Sequence, residues 1–523
     1  MTTESSAAMW DSNPSRGGGI SRRTFGLGLL GGVALAAAPA ATADPGPGTY
    51  RLTADQMSRT ADRDFFGVNG ARIISAENAG QWRDPVFQGA LAAVGPGLIR
   101  VQGGTTSQWI DWRTGRFDER DGGGFAGRND GRPPLALADW SGILQRIGAV
   151  PIFDLNVVTS TLDDQLDMLR EARRLGMPVR YVELGNELWA PMRAYIDRYP
   201  TGADYAGVMN DWITVIRREF PDVRIGVSAV DDSSPAGVLA GTRMGSWNRG
   251  LYETIRDADA AVFHPYWIVD PLAADISSTA AGGVVTWTGL AGKVLPELPS
   301  GMRAWFTEYN QMGKEAVAPL DRLPAVQQTW AVGLSVASFA LRALLDPRAD
   351  LAVMHCALNG APSADTGGGG TTNQAVHALI SDGSGGSSRF GRTALNVALT
   401  PIYHCLEAGT TVRALRLDRG VEISAALLTP VYVGAAEAFT GAELTSAGGT
   451  RAVLINTSDR PLRIALPPSL IGAQDVRIYH ASPTAAPAFV AGDTVSETST
   501  AVSDVLDLPA YSQAVLRCPP AGA

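Results

Sequence analysis

Between about residue 64 and residue 408, short apolar runs alternate with longer amphipathic stretches, which is the pattern of repeated β-strand and α-helix units. The stretch Leu162–Leu175 repeats leucine and methionine at three- and four-residue steps among charged residues, as a surface helix does. Similar helices are predicted at Ala203–Phe220 and Val326–Leu345. The eight predicted strands are Phe65–Asn69, Leu98–Gln102, Pro151–Asn156, Tyr181–Gly185, Arg224–Ala229, Ala260–His264, Arg303–Glu308 and Leu351–Cys356.

Eight such units favour a closed (β/α)8 barrel, or TIM barrel, over the alternative of a doubly wound open sheet. The segment of about 340 residues exceeds the typical ~250 for a barrel. Long loops are therefore expected at Arg116–Arg132 and Gly367–Gly370. We expect a protein of the α/β class whose barrel occupies residues 64–409.

Beyond Thr410 the pattern changes to short alternating strands separated by turn residues, which predicts a C-terminal antiparallel β-sandwich domain over residues 410–523. An N-terminal segment, residues 44–63, is expected to add a strand to this domain at Thr49–Thr53. The strands predicted in the domain are Val421–Leu427, Ala452–Asn456, Leu462–Leu466, Val476–Tyr479 and Ala514–Cys518.

The first 43 residues have the features of an export signal. Ser21–Phe25 is a twin-arginine motif, the apolar run Gly26–Ala41 follows it, and Ala41–Ala43 offers small residues for cleavage. The run is short and rich in glycine and alanine, which does not suit a stable membrane anchor. Its GxGxxG match at Gly26–Gly31 follows no strand and is not a dinucleotide site. We expect a secreted or periplasmic protein that the twin-arginine machinery exports.

The composition excludes several other classes of function. A net charge of −9 without clusters of lysine or arginine argues against a nucleic-acid partner. Three scattered cysteines are too few for a disulfide scaffold, although a Cys356–Cys405 bridge stays open beside the alternative of buried free thiols. Five histidines lack the spacing of metal ligands. No metal or cofactor is therefore expected, and the oligomeric state is not constrained.

Side chains at the C-terminal ends of barrel strands carry the chemistry of such folds, because these ends and their loops meet at one face. Polar candidates stand at many of the predicted strand ends: Asn69, Arg100, Asp154, Asn156, Asn186, Glu187, His264, Tyr266 and Glu308. Strands four and seven face each other across a barrel. Glu187 and Glu308 can therefore point toward each other from opposite walls.

The residues around these glutamates resemble the clan A glycoside hydrolases. Leu184–Trp189 (LGNELW) and Thr307–Asn310 (TEYN) are most similar to the arabinofuranosidase, β-xylosidase and heparanase-like β-glucuronidase group. Arg100–Thr105 is similar to the group's strand-two motif, with Gln102 where proline is common, and Leu508–Ser512 resembles the end of its β-sandwich. His355 departs from the tryptophan that many members have after strand eight.

The resemblance implies a retaining glycosidase with Glu187 as acid/base and Glu308 as nucleophile. Retention requires the two carboxyl groups to lie ~5–5.5 Å apart. Arg100 and Tyr266 are expected to hold Glu308 ionised, with His264 in support. The further residues expected to bind substrate are Asn186, at the hydroxyl beside the anomeric carbon, Asn69, Asn156, Trp189 and Trp267.

Other interpretations compete with this one. Arg100 could simply bridge barrel carboxylates, and each tryptophan, including Trp109 and Trp305, could equally belong to the core. The protein could be a non-catalytic carbohydrate-binding protein on the same fold, or, from its export signal, a cofactor-containing oxidoreductase. The sequence favours an exo-acting glycosidase of polysaccharide side chains, with an arabinofuranoside, xyloside or glucuronide as substrate. Endo action stays open.

Overall fold

The computed structural model describes residues 48–70, 76–101, 103–117, 133–233, 239–270, 275–312, 329–359, 378–381, 389–483, 495–500, 502 and 504–520. The predicted export signal, Gly367–Gly370, most of the predicted loop Arg116–Arg132 and Gln102 lie outside these residues. Arg116 and Phe117 are described, and they pair with Ile110 and Asp111 as a short antiparallel ladder.

Eight parallel strands close into a barrel, which confirms the predicted fold class. The barrel strands are β2 (Phe66–Asn69), β3 (Leu98–Val101), β6 (Val150–Asp154), β7 (Tyr181–Leu184), β8 (Arg224–Ser228), β9 (Ala260–Phe263), β11 (Arg303–Phe306) and β13 (Ala349–Met354). The register pairs Asn69 with Arg100 and Asp154 with Glu183. Polar side chains of neighbouring strands therefore reach the same level of the barrel mouth.

Helices surround the barrel and bury their apolar faces against it. They are α1 (Ala76–Arg83), α2 (Pro85–Val94), α3 (Leu137–Ile147), α4 (Leu162–Arg174), α5 (Arg193–Arg198), α6 (Gly202–Glu219), α7 (Arg243–Thr254), α8 (Ile276–Gly289), α9 (Trp330–Leu345) and α10 (Ala394–Tyr403). Thr201 begins α6 in a capping box with Asp204. Helices α8 and α9 approach so closely at Gly283 that a Cβ there would lie 2.1 Å from the carbonyl oxygen of Ser335.

The second domain contains the strands β1 (Tyr50–Ala61), β16 (Thr410–Leu417), β19 (Phe439–Ser446), β20 (Gly449–Asn456), β21 (Leu462–Ala465), β22 (Asp475–His480), β23 (Ser496–Thr500), β24 (Val505–Leu508) and β25 (Ser512–Cys518). These nine strands are hydrogen-bonded in the order β23-β22-β25-β20-β19-β16-β1-β21-β24. Strand β1 is longer than the predicted Thr49–Thr53. It pairs antiparallel with β16 and parallel with β21, so it joins the two parts of the domain.

Short two-stranded ladders complete the described structure: β4 (Ile110–Asp111) with β5 (Arg116–Phe117), β10 (Tyr266–Trp267) with β12 (Asn310–Gln311), β14 (Leu358–Asn359) with β15 (Ile380–Ser381), and β17 (Glu422–Leu427) with β18 (Tyr432–Glu437). The turn of the β17–β18 hairpin reaches the barrel loop after β9. There the Ile268 amide donates to the carbonyl of Thr429 at 2.8 Å.

The two domains also contact each other at the N-terminus of α9. The indole Nε1 of Trp330 donates to the carbonyl of Tyr511 at 2.7 Å. Cys356, Cys405 and Cys518 are free thiols, so Cys356 and Cys405 do not form the disulfide that the sequence left open. No helix in the described part of the chain has the length and hydropathy required to span a membrane.

Candidate active site

The strand ends bring a polar cluster together at the centre of the barrel mouth. Glu308 follows β11 and accepts two hydrogen bonds on Oε1, from Arg100 Nη1 at 2.7 Å and from Asn69 Nδ2 at 3.0 Å. Its Oε2 accepts the hydroxyl of Tyr266 at 2.5 Å. Three different strands therefore fix both oxygens of this carboxylate in one orientation.

Arg100 organises the cluster because its guanidinium is completely buried among carboxylates. Besides Glu308, it bonds Glu183 Oε2 through Nε at 2.9 Å and Asp154 Oδ2 through Nη2 at 3.3 Å. Nη2 also donates to Asn186 Oδ1 at 2.9 Å. A buried cation of this kind is stable only when its donors are paired. Arg100 thus both bridges barrel carboxylates and contacts the candidate nucleophile.

The environment of Glu308 favours the ionised form. Burial alone would raise the pKa of this carboxyl, but the charges of His264, His355 and Arg100 and the hydrogen bond from Tyr266 outweigh it and lower the pKa well below its usual value. A carboxylate that stays ionised and oriented can act as a nucleophile. His355 therefore lies close enough to contribute to the charge balance, although sequence reasoning left this wall of the pocket open.

Glu187 follows β7 and lies in a sharp turn of the backbone. Gly185 has a φ of 87° and Glu187 itself has a φ of 47°, a left-handed conformation that is costly for a residue with a side chain. Arg243 stabilises the segment after this turn, because its guanidinium donates to the carbonyls of Leu188 at 2.8 Å and Ala190 at 3.1 Å. Strained conformations that the surroundings enforce are concentrated at functional sites.

The side chain of Glu187 is more exposed than that of Glu308, at 22% against 8%. His264 Nδ1 lies 3.0 Å from Glu187 Oε1, and the other ring nitrogen lies 3.0 Å from the hydroxyl of Thr307. Burial would lower the pKa of His264, but Glu308 and the hydrogen bond with Glu187 raise it overall. His264 thus links the two glutamates electrostatically.

Glu187, His264 and Glu308 each offer an atom that lies within 4.8 Å of the others. Such a trio could surround a metal ion. However, both oxygens of Glu308 already accept hydrogen bonds from protein donors. The arrangement is therefore better suited to two carboxyl groups that act on a molecule placed between them.

The remaining predicted polar residues divide into two groups. Asn186 lies inside the cluster and points its amide nitrogen toward Thr105 Oγ1 at 3.4 Å. Asn156 is placed differently: its side-chain oxygen accepts the backbone amides of Val158 and Thr159, and its amide nitrogen donates to the Thr159 hydroxyl. The structure therefore places Asn156 in a local turn of the loop after β6, where its side chain bonds Val158 and Thr159.

The tryptophans also differ in their surroundings. Trp267 is completely buried and stacks on Phe339 of α9, with ring centroids 5.6 Å apart, so it has no exposed face for a sugar. Trp109 is buried against Tyr195, and Trp305 belongs to the apolar interior of the barrel. Trp189 is 8% exposed and directly follows the Glu187 turn. Of the two tryptophans predicted to bind substrate, Trp189 keeps a surface near the mouth.

Sequence reasoning missed several residues that support the site. Arg243 lies on a helix far from any recognisable motif, and Ser228 ends β8 with its hydroxyl accepting the Leu188 amide at 3.1 Å. Asp231 follows β8 and interacts electrostatically with His264 and Glu187. The sequence after β8 is a run of small and acidic residues, which is typical of an ordinary loop. The position of Asp231 three residues past a barrel strand was the available signal.

Comparison with known proteins supports the architecture. No family model and no curated protein sequence matches the chain. Among solved structures, the α-L-arabinofuranosidase of Thermotoga maritima in complex with arabinose has a TM-score of 0.65 at 14% identity, covering 90% of this chain and 100% of that one. A GH51 α-L-arabinofuranosidase from Thermotoga petrophila has the same values.

A family 51 α-L-arabinofuranosidase from Bifidobacterium longum is similar with a TM-score of 0.63 at 13% identity, over 89% of this chain and 99% of that one. The likeness at these identities concerns the fold. It confirms the fold, a barrel with an added β-sandwich. Here the barrel mouth holds a pair of glutamates in unequal surroundings.

Proposed function

We propose that this protein is a retaining glycoside hydrolase in which Glu308 is the nucleophile and Glu187 is the acid/base. The observation that carries the proposal is the pair itself: carboxylate oxygens of the two residues lie within 4.8 Å of each other, on opposite walls of the mouth. Retaining enzymes need such closeness, since inverting ones leave room for a water between carboxyl groups about 6.5–9.5 Å apart.

The unequal surroundings supply a role for each glutamate. Glu308, held ionised by Arg100 and Tyr266, attacks the anomeric carbon while Glu187 gives its proton to the departing glycosidic oxygen. A covalent glycosyl ester on Glu308 results, and the leaving group departs as an alcohol. Glu187 then removes a proton from water, whose oxygen attacks the same carbon, releasing the sugar and restoring both carboxyl groups.

Neighbouring side chains assist both steps. Arg100 orients Asn186, and the Asn186 amide is placed to hydrogen-bond the sugar hydroxyl next to the anomeric carbon, a contact that strengthens in the transition state. Asn69 and Tyr266 keep the attacking carboxylate from rotating. The substrate class is that of the resemblance: a terminal arabinofuranoside, xyloside or glucuronide on a polysaccharide side chain.

The site of action is proposed from the sequence alone. The twin-arginine motif at Ser21–Phe25 supports export, after which the enzyme would act outside the cytoplasm on carbohydrate.

The test is a panel of 4-nitrophenyl glycosides with Glu308→Ala, Glu187→Ala and the control Glu253→Ala, which changes an exposed glutamate on α7. We expect Glu308→Ala to lose almost all activity and azide to restore release of nitrophenol, with a glycosyl azide of inverted configuration. Azide with Glu187→Ala should give the retained configuration, because the covalent intermediate still forms. Unchanged turnover by Glu308→Ala, or sugar binding without turnover by the unmodified protein, would refute the proposal.

A further inference from the structure

The chain after strand β8 is rigidly held at the barrel mouth. The amide of Ala229 donates to the carbonyl of Val262 on β9 at 3.0 Å. Asn248 on α7 then fixes Val230 from both sides: Oδ1 accepts the Val230 amide at 2.8 Å, and Nδ2 donates to its carbonyl at 2.8 Å. Asp231 is the next residue, so its position is set by neighbours on a strand and on a helix.

Asp231 is half-buried, and its carboxyl receives a hydrogen bond from its own backbone amide. It forms no ion pair within the part of the chain that the structure describes. Burial raises the pKa of Asp231 to about 7, with His264 opposing and Glu187 adding to the increase. Asp154, a fully buried aspartate at the mouth, differs because Arg100 and Ser107 donate hydrogen bonds to its carboxyl.

The place of Asp231 relative to the two glutamates decides what it can contact. Strand β8 lies between β7, which leads to Glu187, and β9, which leads to His264. The charges that act most on Asp231 are those of His264 and Glu187. Since the acid/base group donates its proton to the leaving group, the space on its side of the mouth is where the leaving group lies.

We propose that Asp231 binds hydroxyl groups of the leaving group, and that the leaving group is a neutral sugar. This inference rests on the proposed glycosidase function and adds a specificity residue to it. A carboxyl without a side-chain partner can bond two adjacent hydroxyls, which neutral sugars offer. Above about pH 7, where Asp231 is ionised, an acidic sugar in the same place would bring a second negative charge toward this carboxylate, and juxtaposed like charges are costly.

The experiment compares two substrates of the same terminal sugar, a 4-nitrophenyl glycoside and a neutral oligosaccharide, with Asp231→Asn. The nitrophenyl leaving group offers no hydroxyls of the kind that Asp231 would bind. We therefore expect the loss of kcat/KM on the oligosaccharide to exceed the loss on the nitrophenyl glycoside by about tenfold, the equivalent of one hydrogen bond worth ~1.4 kcal/mol. The control Asp222→Asn removes an exposed charge beyond the opposite end of the same strand and should leave the ratio unchanged.

Equal losses on the two substrates would overturn the role of Asp231. Failure of the unmodified protein on every glycoside would instead refute the proposed function. If Asp231→Asn does not fold, the unmodified enzyme provides a second measurement. A glycosyl-enzyme can transfer its sugar to an added acceptor instead of water, so we expect transfer to a neutral monosaccharide and at least tenfold less to a uronic acid. Equal transfer to both acceptors would contradict the proposal.

Discussion

Replacing Arg243 with alanine should damage catalysis although Arg243 contacts neither candidate glutamate. Its guanidinium donates to the carbonyls of Leu188 at 2.8 Å, Ala190 at 3.1 Å, Tyr199 at 2.5 Å and Pro200 at 3.0 Å. These carbonyls belong to the segment that leaves the left-handed turn at Glu187. Arg243 is thus a positioning residue that acts through the backbone of its neighbours.

The size of the effect can be worked out from these bonds. Leu188 and Tyr199 are completely buried, so their carbonyls would lose a partner without gaining water, at about 1–3 kcal/mol each. Burial lowers the pKa of Arg243 to about 10, which shows that holding the guanidinium there has its own cost and offsets part of the gain. We expect the free energy of unfolding to fall by ~2–4 kcal/mol. A displacement of Glu187 approaching 1 Å would lower kcat by about 100-fold.

The assay measures urea unfolding together with kcat and KM on the best nitrophenyl glycoside, at a temperature where the variant is folded. Arg249→Ala is the matched control, because Arg249 is exposed on the same helix. A positioning role predicts that kcat falls much more than KM changes, whereas general destabilisation alone leaves kcat per folded molecule intact. Full kcat in folded Arg243→Ala would refute the reasoning.

Two further predictions concern residues at the mouth and behind it. Tyr266→Phe removes a hydroxyl whose hydrogen bond lowers the pKa of Glu308, so that pKa should rise and kcat should fall about 10- to 100-fold. In the measured pH profile, the acidic limb of kcat/KM should therefore move to higher pH, and an unmoved limb would contradict the prediction. Trp267→Ala should lower the free energy of unfolding in urea by ~3–5 kcal/mol, because the ring is completely buried against Phe339; unchanged stability with a raised KM would instead indicate a ring that stacks on sugar.

The barrel could be predicted from the sequence because its signal is repeated eight times and its strands are buried runs with polar ends. The same logic located Glu187 and Glu308, since a strand's last residues have to face the mouth. The spacing of these residues in the sequence could not predict which side chains each of them contacts. Asn156 follows β6 by two residues, and the loop turns there, so its side chain caps its own backbone.

The burial of Trp267 could have been predicted from its position next to Tyr266 in the sequence. Tyr266 and Trp267 are adjacent in β10, and neighbouring side chains of a strand point to opposite faces. If Tyr266 faces Glu308, Trp267 has to face away from the mouth, which is where the structure places it. Strand β19 was not predicted, for another reason. Strand β19 is buried on both faces over Phe439–Leu444, so polar residues do not alternate there.

The position of β1 has a consequence for the order in which the protein can be assembled. This strand is made first, yet its partners β16 and β21 begin more than three hundred residues later, at Thr410 and Leu462. During synthesis, Tyr50–Ala61 therefore has to wait unpaired while the entire barrel emerges. Once β16 and β21 arrive, a strand that precedes the barrel in the sequence pairs with strands that follow it, so the two connections that enter and leave the barrel are held together in one sheet.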